Sequence, residues 1–127
     1  MALTLATWNI NSVRLRQALV TQLMDQEKPD VLCLQECKCP VDKIPAEVFA
    51  AHGYPHLVAR GQKGYNGVAI LSKRPLEDAG SEDFAKLGHA RHVAARLEDG
   101  TVIHNCYVPA GGDKPDREVN EKFGQKL

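Results

Sequence analysis

Two apolar runs separated by one amphipathic stretch constrain this chain more than any other feature of it. Leu3 to Trp8 reads as a strand, and Val31-Leu32-Cys33-Leu34 is an apolar run without alternation, the pattern of a strand buried on both faces. Between them, Ser12 is placed to cap a helix from Val13 to about Gln26. Leu15, Leu19 and Leu23 recur there at four-residue spacing, with Val20 and Met24 beside them, and Pro29 closes the helical region. Strand, helix, strand is a βαβ unit, so the two strands are expected to be parallel and joined by a right-handed crossover. Asn9, in the string Thr7-Trp8-Asn9-Ile10-Asn11, and Glu36, after Gln35, then emerge side by side at the carboxyl edge of the sheet. That edge is where open α/β sheets place their sites. A carboxylate beside a carboxamide suits a hard cation such as Mg²⁺ and the phosphate oxygens it accompanies.

The remainder continues in the same style. A shorter helix is expected from Asp42 to His52, with Ile44, Val48 and Phe49 inward and Gly53 as its stop. Tyr54 to Arg60 reads as a strand weakened by Pro55, Gly61-Gln62-Lys63-Gly64 as a loop, and Asn66 to Ser72 as another apolar strand. Pro75 to Gly88 is polar and weakly patterned and reads as loop. His92 to Leu97 and Thr101 to Val108 flank Glu98-Asp99-Gly100, a hairpin signal. With Asp99 and Gly100 as a two-residue turn, Leu97 would pair with Val102 and His92 would face Tyr107. Beyond Pro109 the chain turns polar, and Val119 to Leu127 resembles the start of a helix whose Phe123 and Leu127 need a partner surface.

Composition excludes more than it assigns. A chain of 127 residues has the length of one small domain, and it lacks an apolar run long enough for a membrane span. Its first residues lack the pattern of a signal peptide, so a cytoplasmic address and no membrane partner are expected. Sixteen basic residues balance sixteen acidic ones. A protein that coats DNA by bulk charge would carry a positive excess, whereas an enzyme gripping DNA through a local patch need not. Cys33, Cys37, Cys39 and Cys106 lack the two matched pairs of a structural zinc site and read as reduced, mostly buried thiols. His89, His92 and His104 suggest a metal cluster at first sight, but His104 alternates with Cys106 along one strand and reads as hairpin packing.

Four strings give the chain a family likeness. Thr7-Trp8-Asn9-Ile10-Asn11, Leu34-Gln35-Glu36-Cys37-Lys38, Tyr65-Asn66-Gly67-Val68-Ala69-Ile70-Leu71-Ser72 and Tyr107-Val108-Pro109-Ala110-Gly111-Gly112 resemble, in that order, the motifs of the exonuclease III family. These are AP endonucleases of the endonuclease/exonuclease/phosphatase superfamily. The resemblance covers the amino-terminal half of such an enzyme, and it implies an α/β fold: a mixed β-sheet with flanking helices, half of a four-layer α/β/β/α sandwich. It further implies that residues 1–127 are a truncated domain, whose apolar sheet face would stand open as a large exposed patch.

The same resemblance implies roles for single residues. Glu36 would hold the metal, Mg²⁺ or alternatively Mn²⁺, and Asn9 would serve as a catalytic and metal-site residue orienting the nucleophile side. Tyr107 would lie at the scissile phosphate, while Lys63, Tyr65, Asn66 and Arg91 would contact the substrate. That substrate would be double-stranded DNA with abasic sites or 3′ ends, cut by a DNA-repair phosphodiesterase that is monomeric when complete. Cys37 departs from the threonine common in relatives, and Ala110 from an amide side chain. The family's Gly-Asp-x-Asn and Ser-Asp-His segments have no match, since Asp113 and Asp116 stand in a different context. Without that carboxylate to activate water, this chain alone is expected to be inactive. The competing readings are an inositol-polyphosphate or sphingolipid phosphodiesterase, and a non-catalytic nucleic-acid-binding module.

Overall fold

The structure, a computed structural model, describes residues 2–82 and 89–108. The Pro109-to-Gly112 string, Asp113, Asp116 and the helix expected from Val119 lie outside the described residues. Among the described residues, seven strands and two α-helices follow in the order β1 (Leu5–Asn9), α1 (Gln17–Gln26), β2 (Val31–Gln35), α2 (Ala46–Ala51), β3 (His56–Arg60), β4 (Val68–Ser72), β5 (Leu76–Gly80), β6 (His92–Leu97) and β7 (Val102–Cys106). β1 and β2 are parallel, with Leu5 opposite Val31 and Asn9 opposite Gln35, as the βαβ pattern requires. β4 runs antiparallel to both β2 and β3, giving a mixed sheet in the order β1-β2-β4-β3.

The remaining strands do not extend that sheet. β5, β6 and β7 form a second, antiparallel sheet that lies across the first. β4 is flanked by β2 and β3, and the chain after it turns over the sheet face. Alternation along the central strands feeds two cores at once. Leu32 and Leu34 of β2, with Ala69 and Leu71 of β4, face Val20, Met24 and Phe49 of the helices. Val31, Cys33, Val68 and Ile70 face Val93, Ala95, Leu97 and Ile103 of the second sheet. Each such aliphatic side chain, fully withdrawn from water, contributes on the order of 1.5–3 kcal/mol. The architecture is therefore α/β with the layers helix, sheet, sheet.

The sheet face expected to stand open is thus covered for most of its width by the chain's own second sheet. Exposure concentrates on the outlying strand: Leu5 of β1 is 53% exposed. The second sheet is only three strands wide and leaves that strand uncovered.

Several local expectations change for identifiable reasons. α1 begins at Gln17, not Val13: Asn11 and Ser12 take φ of +49° and +82°, and the Ser12 and Val13 N–H groups are bonded to the carbonyls of Glu36 and Cys37 at 2.8 and 3.1 Å. Ser12 still caps a turn, its Oγ accepting from the Leu15 N–H at 3.3 Å. The buried row on α1 is Val20 and Met24; Leu15, in the preceding turn, is 80% exposed and Leu19 sits on the rim. Pro45 splits the helix expected from Asp42: Ile44 before it is extended (ψ 132°), as a residue preceding proline prefers, and α2 starts only at Ala46. Ile44 and Phe49 point inward as expected, and Gly53 ends the helix at φ +96°.

The stretch after Pro75 contains a strand, β5, which the reading as loop missed. It is an edge strand whose Glu77, Asp78 and Ala79 are all exposed, so it shows no apolar alternation. Arg60 of β3 holds Asp78 through two bonds of 2.9 and 3.0 Å, tying the edges of the two sheets together. In the β6–β7 hairpin Arg96, not Leu97, pairs with Val102, and His92 lies opposite Cys106. Three residues turn the chain there, with Gly100 at φ +91° and its N–H bonded to the Leu97 carbonyl at 3.0 Å.

Candidate active site

The one-residue shift in the hairpin decides where Tyr107 goes. Val93, Ala95 and Leu97 occupy the inner face of β6, and Ile103 and Asn105 that of β7. Tyr107, two residues past Asn105, emerges on the same inner side, its N–H bonded to the Arg91 carbonyl at 2.7 Å. Its phenol donates to Oε1 of Glu36 at 2.9 Å. A residue from each sheet thus meets at one end of the sandwich, just past the carboxyl ends of β1 and β2.

Glu36 is fixed by an unusual backbone. It follows β2 with φ +56°, and Lys38 repeats the conformation at φ +57°. Such conformations cost non-glycine residues about 1–3 kcal/mol each and persist only where surroundings hold them. Here the segment is laced on both sides. Its Glu36 and Cys37 carbonyls accept from Ser12 and Val13, while the N–H groups of Cys37 and Lys38 donate to Gly67 and Asn66 at 3.1 and 2.8 Å. The Lys38 ammonium donates to the Asn11 side-chain oxygen, closing the loop after β1 onto the loop after β2. Lys38, Asn11 and Asn105 belong to this assembly and were not singled out as site residues from the sequence. The loop strings contain the first two, but nothing in their spacing marks the contact.

Arg91 stacks on Tyr107, its guanidinium carbon 4.8 Å from the ring centroid. Its Nε lies 3.2 Å from His89 Nδ1, and its buried Nη1 has no hydrogen-bond partner among the described residues. Burial first, and then the bond to Glu36, push the Tyr107 phenol above the ordinary tyrosine value; Arg91 opposes the shift. Tyr107 therefore remains a neutral donor through the physiological range.

The other expected residues fall into two groups. Asn9 stands at the same edge opposite Gln35, with its side chain exposed. Lys63 and Tyr65 ride an exposed loop, where Tyr65 meets His89 edge-on at 6.1 Å. Asn66 is buried, with φ +56°; its amide donates to the Gln62 side chain at 2.9 Å, and Gln62 accepts from Ala90 as well. In this arrangement Asn66 shapes the loop, while Lys63 and Tyr65 occupy its outer surface. Gly67 lets that loop lie against Cys37: a Cβ there would meet the Cys37 Cβ at 3.2 Å, and its φ is +95°.

The thiols are dispersed. Cys33 faces the inter-sheet core, whereas Cys37 and Cys39 face the helix-side core. Burial pushes Cys33 to about 11 and Cys37 to about 12. Cys106, expected to be buried, is exposed on the outer face of β7. All four are free thiols. On that outer face His92 and His104 stack, ring centroids 5.3 Å apart, as a hairpin pair.

A carboxylate and a phenol are thus joined across two facing sheets, at the carboxyl edge of a βαβ unit in an α/β protein. The chain belongs to the endonuclease/exonuclease/phosphatase family, which it matches over residues 6–118. It is similar to the exodeoxyribonuclease III of Haemophilus influenzae, 38% identical over 130 aligned positions covering 92% of this chain and 46% of that protein. It is likewise similar to an AP endonuclease from Archaeoglobus fulgidus (TM-score 0.85, 36% identity). That structure is matched over 98% of this chain and 47% of its own. A 3′ phosphatase from Neisseria, solved with a product DNA hairpin, gives a TM-score of 0.81 at 35% identity with the same coverage. The chain thus spans about half the length of each.

Proposed function

We propose that this chain carries part of the active site of a DNA-repair phosphodiesterase of the exonuclease III type. The observation that carries the reading is the 2.9 Å bond between Tyr107 and Glu36, made from opposite sheets at the edge where Asn9 also ends its strand. The relatives' activities on DNA support double-stranded DNA with abasic sites or 3′ ends as the substrate.

The residues fit a divalent ion shared with the substrate. No cluster of three or more His, Cys, Asp and Glu able to cage a metal exists among the described residues. Mg²⁺ needs no such cage, since one or two carboxylates plus water and phosphate oxygens satisfy it. Glu36 offers that carboxylate, with only Oε1 engaged among the described residues. We assign the ion as Mg²⁺, with Mn²⁺ able to substitute. When bound, it would neutralise charge on the scissile phosphate.

The chain's own residues do the rest of this half of the work. Tyr107 places its phenolic oxygen on the phosphate side, its proton given to Glu36 and its ring held under the Arg91 guanidinium. Arg91 adds positive charge and an unspent donor. Asn9 orients the nucleophile side through its carboxamide. Lys63 and Tyr65 hold the DNA backbone without reading sequence. The expected working form is a cytoplasmic monomer; no helix of the described residues is long and apolar enough to cross a membrane.

The test is a nicking assay on an abasic-site duplex with Mg²⁺. The purified chain alone is expected to be inactive. Mixed with a polypeptide corresponding to the portion of the Haemophilus relative that this chain does not span, it should nick, and Glu36→Gln should abolish that activity. Nicking by the chain alone would overturn the assignment of water activation to groups outside it. Undiminished nicking by the Glu36→Gln mixture would overturn the role of Glu36.

A further inference from the structure

Asn105 is a polar side chain sunk between two apolar sheet faces, 3% exposed on the inner side of β7. A carboxamide there is costly unless each of its groups is bonded. Its Nδ2 donates to two backbone carbonyls, Leu34 of β2 at 2.9 Å and Ala69 of β4 at 2.8 Å. Those residues are directly opposed partners in the first sheet. Its Oδ1 accepts from Gln35 Nε2 at 2.7 Å, and the same amide nitrogen donates to Thr7 Oγ1 of β1 at 2.8 Å. One side chain of the second sheet is thereby bonded to β2 and β4 directly and to β1 through Gln35. Two donors and an acceptor on one short side chain are what this junction demands.

The position along the strands gives the clamp its meaning. Asn105 lies two residues before Tyr107, and Leu34 two residues before Glu36. On β7 the two side chains share the inner face; on β2 the clamp takes the Leu34 carbonyl, and the positive φ of Glu36 just past the strand turns its carboxylate to Tyr107. Apolar contact around it (Cys33, Val68, Val93, Ile103) is non-directional and would tolerate a slide of β7 over β2. Hydrogen bonds to fixed carbonyls would not, because they weaken steeply with distance and angle.

We propose that Asn105, partnered by Gln35, is the positioning residue that sets where the Tyr107 phenol meets Glu36. Its catalytic meaning rests on the reading of Tyr107 and Glu36 given above, but the test reads geometry in the isolated chain. Failure of the clamp and failure of the nuclease reading are therefore separate results.

The experiment measures nuclear Overhauser contacts between the Tyr107 ring and the Glu36 side chain in the wild-type chain, in Asn105→Leu and in Gln35→Met. Ring contacts of Tyr54 serve as the marker of a folded helix-side core. The expected result is loss of at least half the Tyr107–Glu36 intensity in Asn105→Leu, and a smaller loss in Gln35→Met, with the Tyr54 contacts kept. A purely stabilising role would lower the urea midpoint and leave the Tyr107–Glu36 contacts intact, and that outcome in a folded Asn105→Leu chain overturns the proposal. If Asn105→Leu does not fold, the half-exposed Gln35→Met decides: weakened contacts uphold the clamp, and full contacts refute it.

Discussion

At the scale of single residues, the site is held by backbone that ordinary residues avoid. Glu36 and Lys38 adopt positive φ in a segment whose Cys37 and Lys38 N–H groups bond to a loop that Gly67 allows to come close. Gly67→Ala combines an unfavourable φ of +95° with a 3.2 Å contact to Cys37, and should cost about 1–3 kcal/mol. Gly61→Ala is more severe, since a Cβ would lie 2.4 Å from the Cys39 carbonyl oxygen. Backbone cannot yield as a side chain does, so the expected loss is about 3 kcal/mol or more. Urea denaturation of both variants gives the comparison; equal losses would mean the Cys39 segment moves freely. Neither effect is legible in the sequence, where both glycines look like ordinary loop residues.

At the scale of elements, the β6–β7 hairpin shows how much one residue of register changes. A two-residue turn would have put Tyr107 opposite His92, on the face turned away from Glu36. The three-residue turn with Gly100 in the left-handed region pairs His92 with Cys106 and directs Tyr107 inward. It also places His92 beside His104. The Glu82 N–H donates to His92 Nδ1 at 2.9 Å, so His92 carries its proton on Nε2, which faces His104 Nδ1 at 3.0 Å. Burial first, and then His104, lower the His92 pKa from 6.5; Arg60 acts in the same direction and Glu82 opposes it. The unfolded chain therefore takes up the proton first as pH falls. Stability should decline from about pH 6.5 downward, by no more than about 1.4 kcal/mol per pH unit for this one proton. Urea midpoints at pH 7.5 and 5.5 should separate in the wild type and converge in His92→Gln. A gap unchanged by the substitution would place the proton elsewhere.

At the scale of the whole molecule, one chain supplies both sheets of the inner core, and that sorts its apolar residues into two kinds. Ile70 is fully buried between the sheets, and Ile70→Ala should cost about 2–5 kcal/mol. Leu5 is half exposed on the strand that the second sheet does not reach, and Leu5→Lys should change stability by no more than about 0.5 kcal/mol. Thermal or urea unfolding checks both; a large loss for Leu5→Lys would mean that β1 is covered in solution. The first strands and their end residues were readable because local rules act there: apolar runs, a βαβ spacing, polar residues where a strand stops. β5 and the separation of the strands into two sheets were not. An edge strand shows no apolar signature, and strand patterns do not say which strands pair.

By itself the sequence determined the βαβ opening, the parallel pairing that puts Asn9 and Glu36 at one edge, and the family to which the four motifs belong. The first two follow from periodicity and residue chemistry over short spans of chain, the family from the resemblance of the four strings. Only the tertiary structure decided that a second sheet closes over the first, that Tyr107 reaches Glu36, and that Asn105 stands behind their contact. Those outcomes depend on hydrogen bonds between residues about seventy positions apart. No local pattern encodes such a bond, because its geometry exists only once both sheets are in place.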